Sequence, residues 1–211
     1  MKKRTIQLFL AGLALSLALA CNNTQQKQAT ATPTTEQEAT SEHQHPADTM
    51  KTDCGVPFDG GGKESYISHE VKVVGEVENP MTLTVDKLKK MNVHEIKNKQ
   101  IICSSGENRG DIHTAKGVLL KEILFDADIK QKDHKDRNFF IVARATDGFT
   151  AGFSWAELFN SPNGEQAYVI FEENGKPLTE KGEMIVMSFN DTKTGPRHVM
   201  WLKTIEVHRI P

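Results

Sequence analysis

From Ile67 onward the apolar residues come in short clusters of two recurring periods, and these define most of the expected elements. Ile67 to Val77 is rich in β-branched residues and stops at Asn79-Pro80, which reads as a strand closed by a turn. Thr84 is placed to cap a short helix that carries Val85, Leu88 and Met91 on one face. Val93 to Cys103 reads as two extended pieces joined near Asn98-Lys99, followed by a polar loop from Ser104 to Lys116. Gly117 to Ala127 has the 3.6-residue spacing of an amphipathic helix, given by Val118, Leu119, Glu122, Ile123 and Ala127. Asn138 to Ala145 is a strand, Asp147-Gly148 a turn, and Ser154 with Glu157 a capping box opening another short helix. Strands over Ala167–Glu172 and Met184–Phe189 flank the tight-turn pair Asn174-Gly175, and His198 to Ile210 closes the chain as a long β-like run. Short helices interrupt the strands without a steady β-α-β alternation, so the expected class is α+β.

The first 65 residues read differently. Lys2-Lys3-Arg4 precede a 13-residue apolar run, Leu8 to Ala20, that ends in small residues before Cys21. That run is shorter than the roughly 20 residues needed to span a bilayer and has the layout of an export signal. Leu17-Ala18-Leu19-Ala20-Cys21 resembles a bacterial lipobox, which would make Cys21 the lipidated first residue of the mature protein. The expected location is the cell envelope, anchored to a membrane by lipid, with the outer membrane as its place because Asn22 and Asn23 follow the cysteine. Residues 22 to 55 contain no Leu, Ile, Val or aromatic residue, too little apolar surface to offset the entropy of ordering. The expected organisation is a signal over 1–20, a tether over 21–62 and one folded domain over 63–211.

Losing the three signal cations takes the formal charge from −2 to −5. With no basic patch and no interleaved aromatics, nucleic acid is not an expected partner, and membrane contact rests on the lipid.

The chemistry to be explained is at Cys103, at the end of the apolar run Gln100-Ile101-Ile102. The polar loop expected after it would carry Arg109, His113 and Lys116 close behind the sulfur, where cations favour a thiolate suited to a soft metal. A strand-end cysteine can equally be a small buried hydrophobe, and each of these cations a solvated surface group.

Taken in order, Gly75-Glu76-Val77-Glu78-Asn79-Pro80, Cys103, Lys116-Gly117-Val118-Leu119-Leu120, Asp147-Gly148-Phe149, Asn174-Gly175-Lys176-Pro177-Leu178 and Gly195-Pro196-Arg197-His198-Val199-Met200-Trp201 resemble the molybdopterin-binding domain of the sulfite oxidase family in a short, exported form. The resemblance implies an oxidoreductase using a molybdenum–molybdopterin cofactor, with Cys103 as the metal ligand. Arg197 and His198 stand where the family's closing Lys-Ser pair lines the pterin, and Arg109, His113 and Lys116 are the further candidates for gripping its phosphate. Two positions depart from the pattern: Ile101-Ile102 replace an Arg or His before the cysteine, and the 183–188 strand lacks the family's arginine. The chain has no haem or iron–sulfur cysteine motif, so an electron-transfer partner would be a separate protein.

A second reading competes at one atom. If Cys21 is lipidated, Cys54 and Cys103 remain as a pair, and a disulfide between them would remove the thiolate that molybdenum needs. The domain would then be a cofactor-free binding or assembly module on the same fold.

Overall fold

The structure is a computed structural model and describes residues 66–211. The expected export signal, the lipidation of Cys21, the tether and Cys54 lie outside the described residues.

Among the described residues, ten strands form two five-stranded sheets, with three short α-helices. The first sheet has the order β2 (Met81–Leu83), β1 (Val71–Gly75), β10 (Leu202–Arg209), β5 (Phe139–Ala145), β6 (Thr150–Ser154). Only β1 and β10 run parallel in it; Val73 faces Ile205 and Gly75 faces Val207. The second sheet is antiparallel throughout: β3 (His94–Ile102), β4 (Asn108–Leu119), β7 (Ala167–Glu173) and the two-residue β8 (Lys176–Pro177), with β9 (Ile185–Ser188) also on β7.

The strand β7 explains how the two sheets share one interior. Its first five residues are all buried, which happens when both faces of a strand are covered. Ala167, Val169 and Phe171 face the main core, together with Val186 of β9, Ile141 and Phe153 of the first sheet, and Leu124 of the helix α2 (Leu120–Ala127). Tyr168 and Ile170 face a second, smaller cluster with Ile96, Ile112, Ile185 and Met187.

The local signals behave as their chemistry requires. Thr84 accepts from the Lys87 N–H and caps α1 (Val85–Leu88). The Ser154–Glu157 capping box opens α3 (Trp155–Asn160), with both reciprocal hydrogen bonds present. Asn174 and Gly175 both have positive φ, 51° and 75°, as a two-residue hairpin turn demands.

Three expectations are corrected. Residues 104–116 are not a loop: a turn over 103–107 leads directly into the 12-residue strand β4. The expected helix from Gly117 begins at Leu120, because Gly117, Val118 and Leu119 still pair with Ile170, Val169 and Tyr168. The two extended pieces expected in Val93–Cys103 are one strand, β3 (His94–Ile102), in which Asn98 at φ 52° forms an irregularity at the expected joint.

Candidate functional site

Cys103 directly follows the edge strand β3 and is 6% exposed. Its N–H donates to the Glu107 carbonyl at 2.9 Å, and its own carbonyl accepts from Gly106 N–H at 2.9 Å, which fixes a tight turn around the sulfur-bearing residue. Gly106 takes φ +92°, and a Cβ there would meet the Lys193 Nζ at 2.7 Å. The Cys103 sulfur is in a disulfide.

The strand end is clamped from outside by Thr194, which is 5% exposed. Its hydroxyl donates to the Gln100 carbonyl at 2.9 Å and accepts from the Ile102 N–H at 2.8 Å. Thr194 is thereby fixed against the last residues of β3, just before Cys103. No sequence pattern announces this contact, because it joins positions more than ninety residues apart.

The cations expected around the sulfur are placed as follows. Arg109 begins β4 beside the turn, and its guanidinium is 3.0 Å from the Glu107 carboxylate. His113 lies five residues along β4 from Asn108, about 17 Å at ordinary strand rise. Its backbone N–H donates to Asn174 Oδ1 at 3.0 Å, and the residue is exposed. Lys116 is three residues further on, opposite Glu95 of β3, with Nζ 2.7 Å from Glu172. The strand therefore spreads these three side chains along its length and does not gather them behind Cys103.

Arg197 is already multiply engaged. Its Nε donates to Asp191 at 2.6 Å, a second nitrogen of the fork also bonds Asp191, and Nη1 donates to Glu157 at 2.7 Å. Its guanidinium lies 4.6 Å from the Phe153 ring centroid. Burial would push the Glu157 carboxyl up, but hydrogen bonds from Arg197 and Asn163, with the Arg197 charge and the Ser154 N–H, hold it below the usual carboxylate range. Burial likewise opposes the Arg197 charge, and Asp191 and Glu157 outweigh it, raising the guanidinium. Glu157 thus has two jobs, half of a capping box and half of an ion pair. The sequence discloses only the first.

His198 is the most perturbed group. Part of the residue reaches solvent, yet Nε2 is sealed and has no hydrogen-bond partner. Burial first, and the Lys181 charge second, push its imidazole down to about 3, so it is neutral at ordinary pH. Ser188 Oγ, at the end of β9, is the other buried polar side-chain atom without a partner among the described residues.

These residues can be set against the molybdenum–pterin group that the resemblance implies. Such a group needs a thiolate for the metal and several uncommitted donors for its phosphate dianion. Cys103 is in a disulfide, Arg109, Lys116 and Arg197 face carboxylates, and His198 is neutral. A phosphate at Arg197 would have to displace two acids whose combined charge exceeds that of the arginine. The donor set, as folded, does not fit the group. Nor do the described residues include a cluster of three or more His, Cys, Asp or Glu side chains able to hold a metal directly.

Comparison with known proteins identifies the family. The model of the family described as "Oxidoreductase molybdopterin binding domain" matches residues 62–211. Among solved structures, the sulfane dehydrogenase SoxCD from Paracoccus pantotrophus is similar at 14% identity and a TM-score of 0.48, over 70% of this chain and 39% of that one. This chain therefore spans well under half the length of that protein. No curated protein matches it.

Proposed function

Because the chain belongs to the oxidoreductase molybdopterin-binding domain family while its Cys103 is held in a disulfide, we propose that it is a member that keeps the fold without the cofactor and serves as a binding or assembly module tethered in the bacterial envelope. The disulfide carries the reading. A sulfur bonded to sulfur has no thiolate to give a metal, and the neighbouring charges are arranged to satisfy one another. The tether would run from a lipid on Cys21, in keeping with the export-signal pattern, and with Cys21 so modified Cys54 would be the bonded partner. Closing a loop of that size contributes about 4 kcal/mol in the chain-entropy account. On this reading the bridge fastens the start of the domain to the edge strand β3.

The competing reading, a molybdopterin-dependent oxidoreductase acting on a small substrate, is favoured by the family and by the position of Cys103 at a buried strand end. It requires the disulfide to open. Mature protein isolated from a host that makes the pterin, without added reductant, separates the two. The proposal expects molybdenum far below one atom per chain, no pterin fluorescence after oxidative release, and no alkylatable thiol at Cys103. Molybdenum near one atom per chain, with Cys103 alkylatable once the protein is denatured without reductant, would overturn it.

A further inference from the structure

Opposite in character to the internally paired charges around Arg197 is a patch at the C-terminal end of α2. Phe125 is 79% exposed there, the most exposed large apolar side chain among the described residues. It stands between two depressions. A groove of about 440 Å³ has Trp155, Phe159 and Ile129 as apolar walls and Asp126 and Asp128 at its rim. A second, of about 300 Å³, is lined by Met91, Glu122 and Asp126. No Lys or Arg lines either depression.

Three residue choices here act against local stability. An exposed phenylalanine leaves apolar area in water. Asp126 places a negative charge in the last turn of a helix that has no basic residue there, where the helix dipole is already negative. Asp128 adopts φ +56°, a left-handed conformation that glycine would take at less cost. Among the described residues, the carboxylates of Asp126 and Asp128 make no hydrogen bond or ion pair, whereas Glu157, Asp191, Glu206 and Asp136 are all engaged. Locally unfavourable choices gathered at one surface point mark a site kept for something other than folding.

The groove also shows what suits it. Trp155 stacks on Phe159 with centroids 4.9 Å apart, and the Arg137 guanidinium lies 5.1 Å from the Trp155 ring. One aromatic wall thus already accepts a cation on its face. Phe125 offers a second aromatic face with no cation on it, beside uncommitted carboxylates.

We infer that this patch docks a basic segment of a partner protein, placing a Lys or Arg over Phe125 between Asp126 and Asp128, and an adjacent apolar side chain in the 440 Å³ groove. Cation–π contact, Coulomb attraction and burial of the groove's apolar walls would act together. The surface lies on α2 and does not involve Cys103, so the inference stands or falls independently of whether a cofactor is bound.

The test uses the full mature chain, ¹⁵N-labelled, titrated with the peptide acetyl-Lys-Trp-Lys-Leu-Lys-amide and with its counterpart carrying Glu at the three Lys positions. The expected result is saturable shifts centred on residues 122–131 with the basic peptide alone. Phe125→Ala should weaken binding roughly fivefold, and Asp126→Asn with Asp128→Asn roughly tenfold. The double variant should be no less stable than wild type, because it removes a charge from the wrong end of a helix. Equal shifts with the acidic peptide, shifts elsewhere, or no saturation would overturn the inference. So would concentration-dependent shifts of the same residues without peptide, which would make the occupant a second copy of the chain.

Discussion

His198 gives the sharpest quantitative prediction. Its imidazole is pushed down from 6.5 to about 3, by burial first and by Lys181 second, and its sealed Nε2 has no acceptor that would welcome a proton. Above pH 6.5 the histidine is neutral in both the folded and the unfolded chain and adds no pH slope. As pH falls below 6.5 the unfolded chain binds a proton that the folded chain refuses, so stability is lost progressively down to about pH 3. Between pH 7.5 and 5.0 the loss works out at about 2 kcal/mol by linkage. It is set almost entirely by the unfolded-state value, since the folded-state value lies well below pH 5. For a domain of this size that corresponds to a fall in Tm of roughly 4–8 °C. The lowered carboxylates do not share the window: Glu206, held at about 2 chiefly by hydrogen bonds from Arg144, loses its contribution only as pH falls below 4.5. Urea unfolding at pH 7.5, 6.0 and 5.0 on wild type and His198→Gln is the assay. Glutamine carries no titrating proton, so the variant should lose less than about 0.5 kcal/mol over the same range. Parallel slopes for the two proteins, or an NMR titration of His198 with a midpoint near 6.5, would refute the reasoning.

Other outcomes follow from the same contacts. Thr194→Val keeps the shape but strands the Gln100 carbonyl and the Ile102 N–H, and should cost about 1–3 kcal/mol in urea unfolding, with faster hydrogen exchange at Ile102. Arg197→Met leaves Glu157 and Asp191 facing one another without a cation and should cost about 2–3 kcal/mol; adding Glu157→Gln and Asp191→Asn should recover part of that loss. Reductant, or Cys103→Ser, should lower stability by about 3–4 kcal/mol if the bridge spans to Cys54, and reductant should have no further effect on the serine variant.

What could be read from the chain was what is local. Thr84, the Ser154–Glu157 box and Asn174-Gly175 each satisfy their own backbone within a few residues, so their chemistry shows in the sequence. The strand β4 does not show, because Arg109, Asp111, His113 and Lys116 along it are all exposed polar residues, and the ladder shifts register at Ile101/Ile102 and at Lys116/Gly117. Those shifts break the alternation that identifies a strand. Gly117-Val118-Leu119 has the pattern of a helix for a related reason: an apolar run buried on both faces has no period to separate strand from helix. At the candidate site, the order of motifs led to the right family, since it reflects the whole chain. The state of the site was not legible. Thr194 against β3 and Arg197 against Glu157 are tertiary pairings, and nothing near either partner in sequence specifies them.

The most direct test of the account is native mass spectrometry of the mature protein, isolated without reductant from a host that makes the pterin. The account predicts the mass of the processed chain less two hydrogens for the disulfide at Cys103, with no cofactor adduct. A species heavier by one molybdenum–pterin group, whose chain after denaturation without reductant has the full mass of the disulfide-free form, would contradict it.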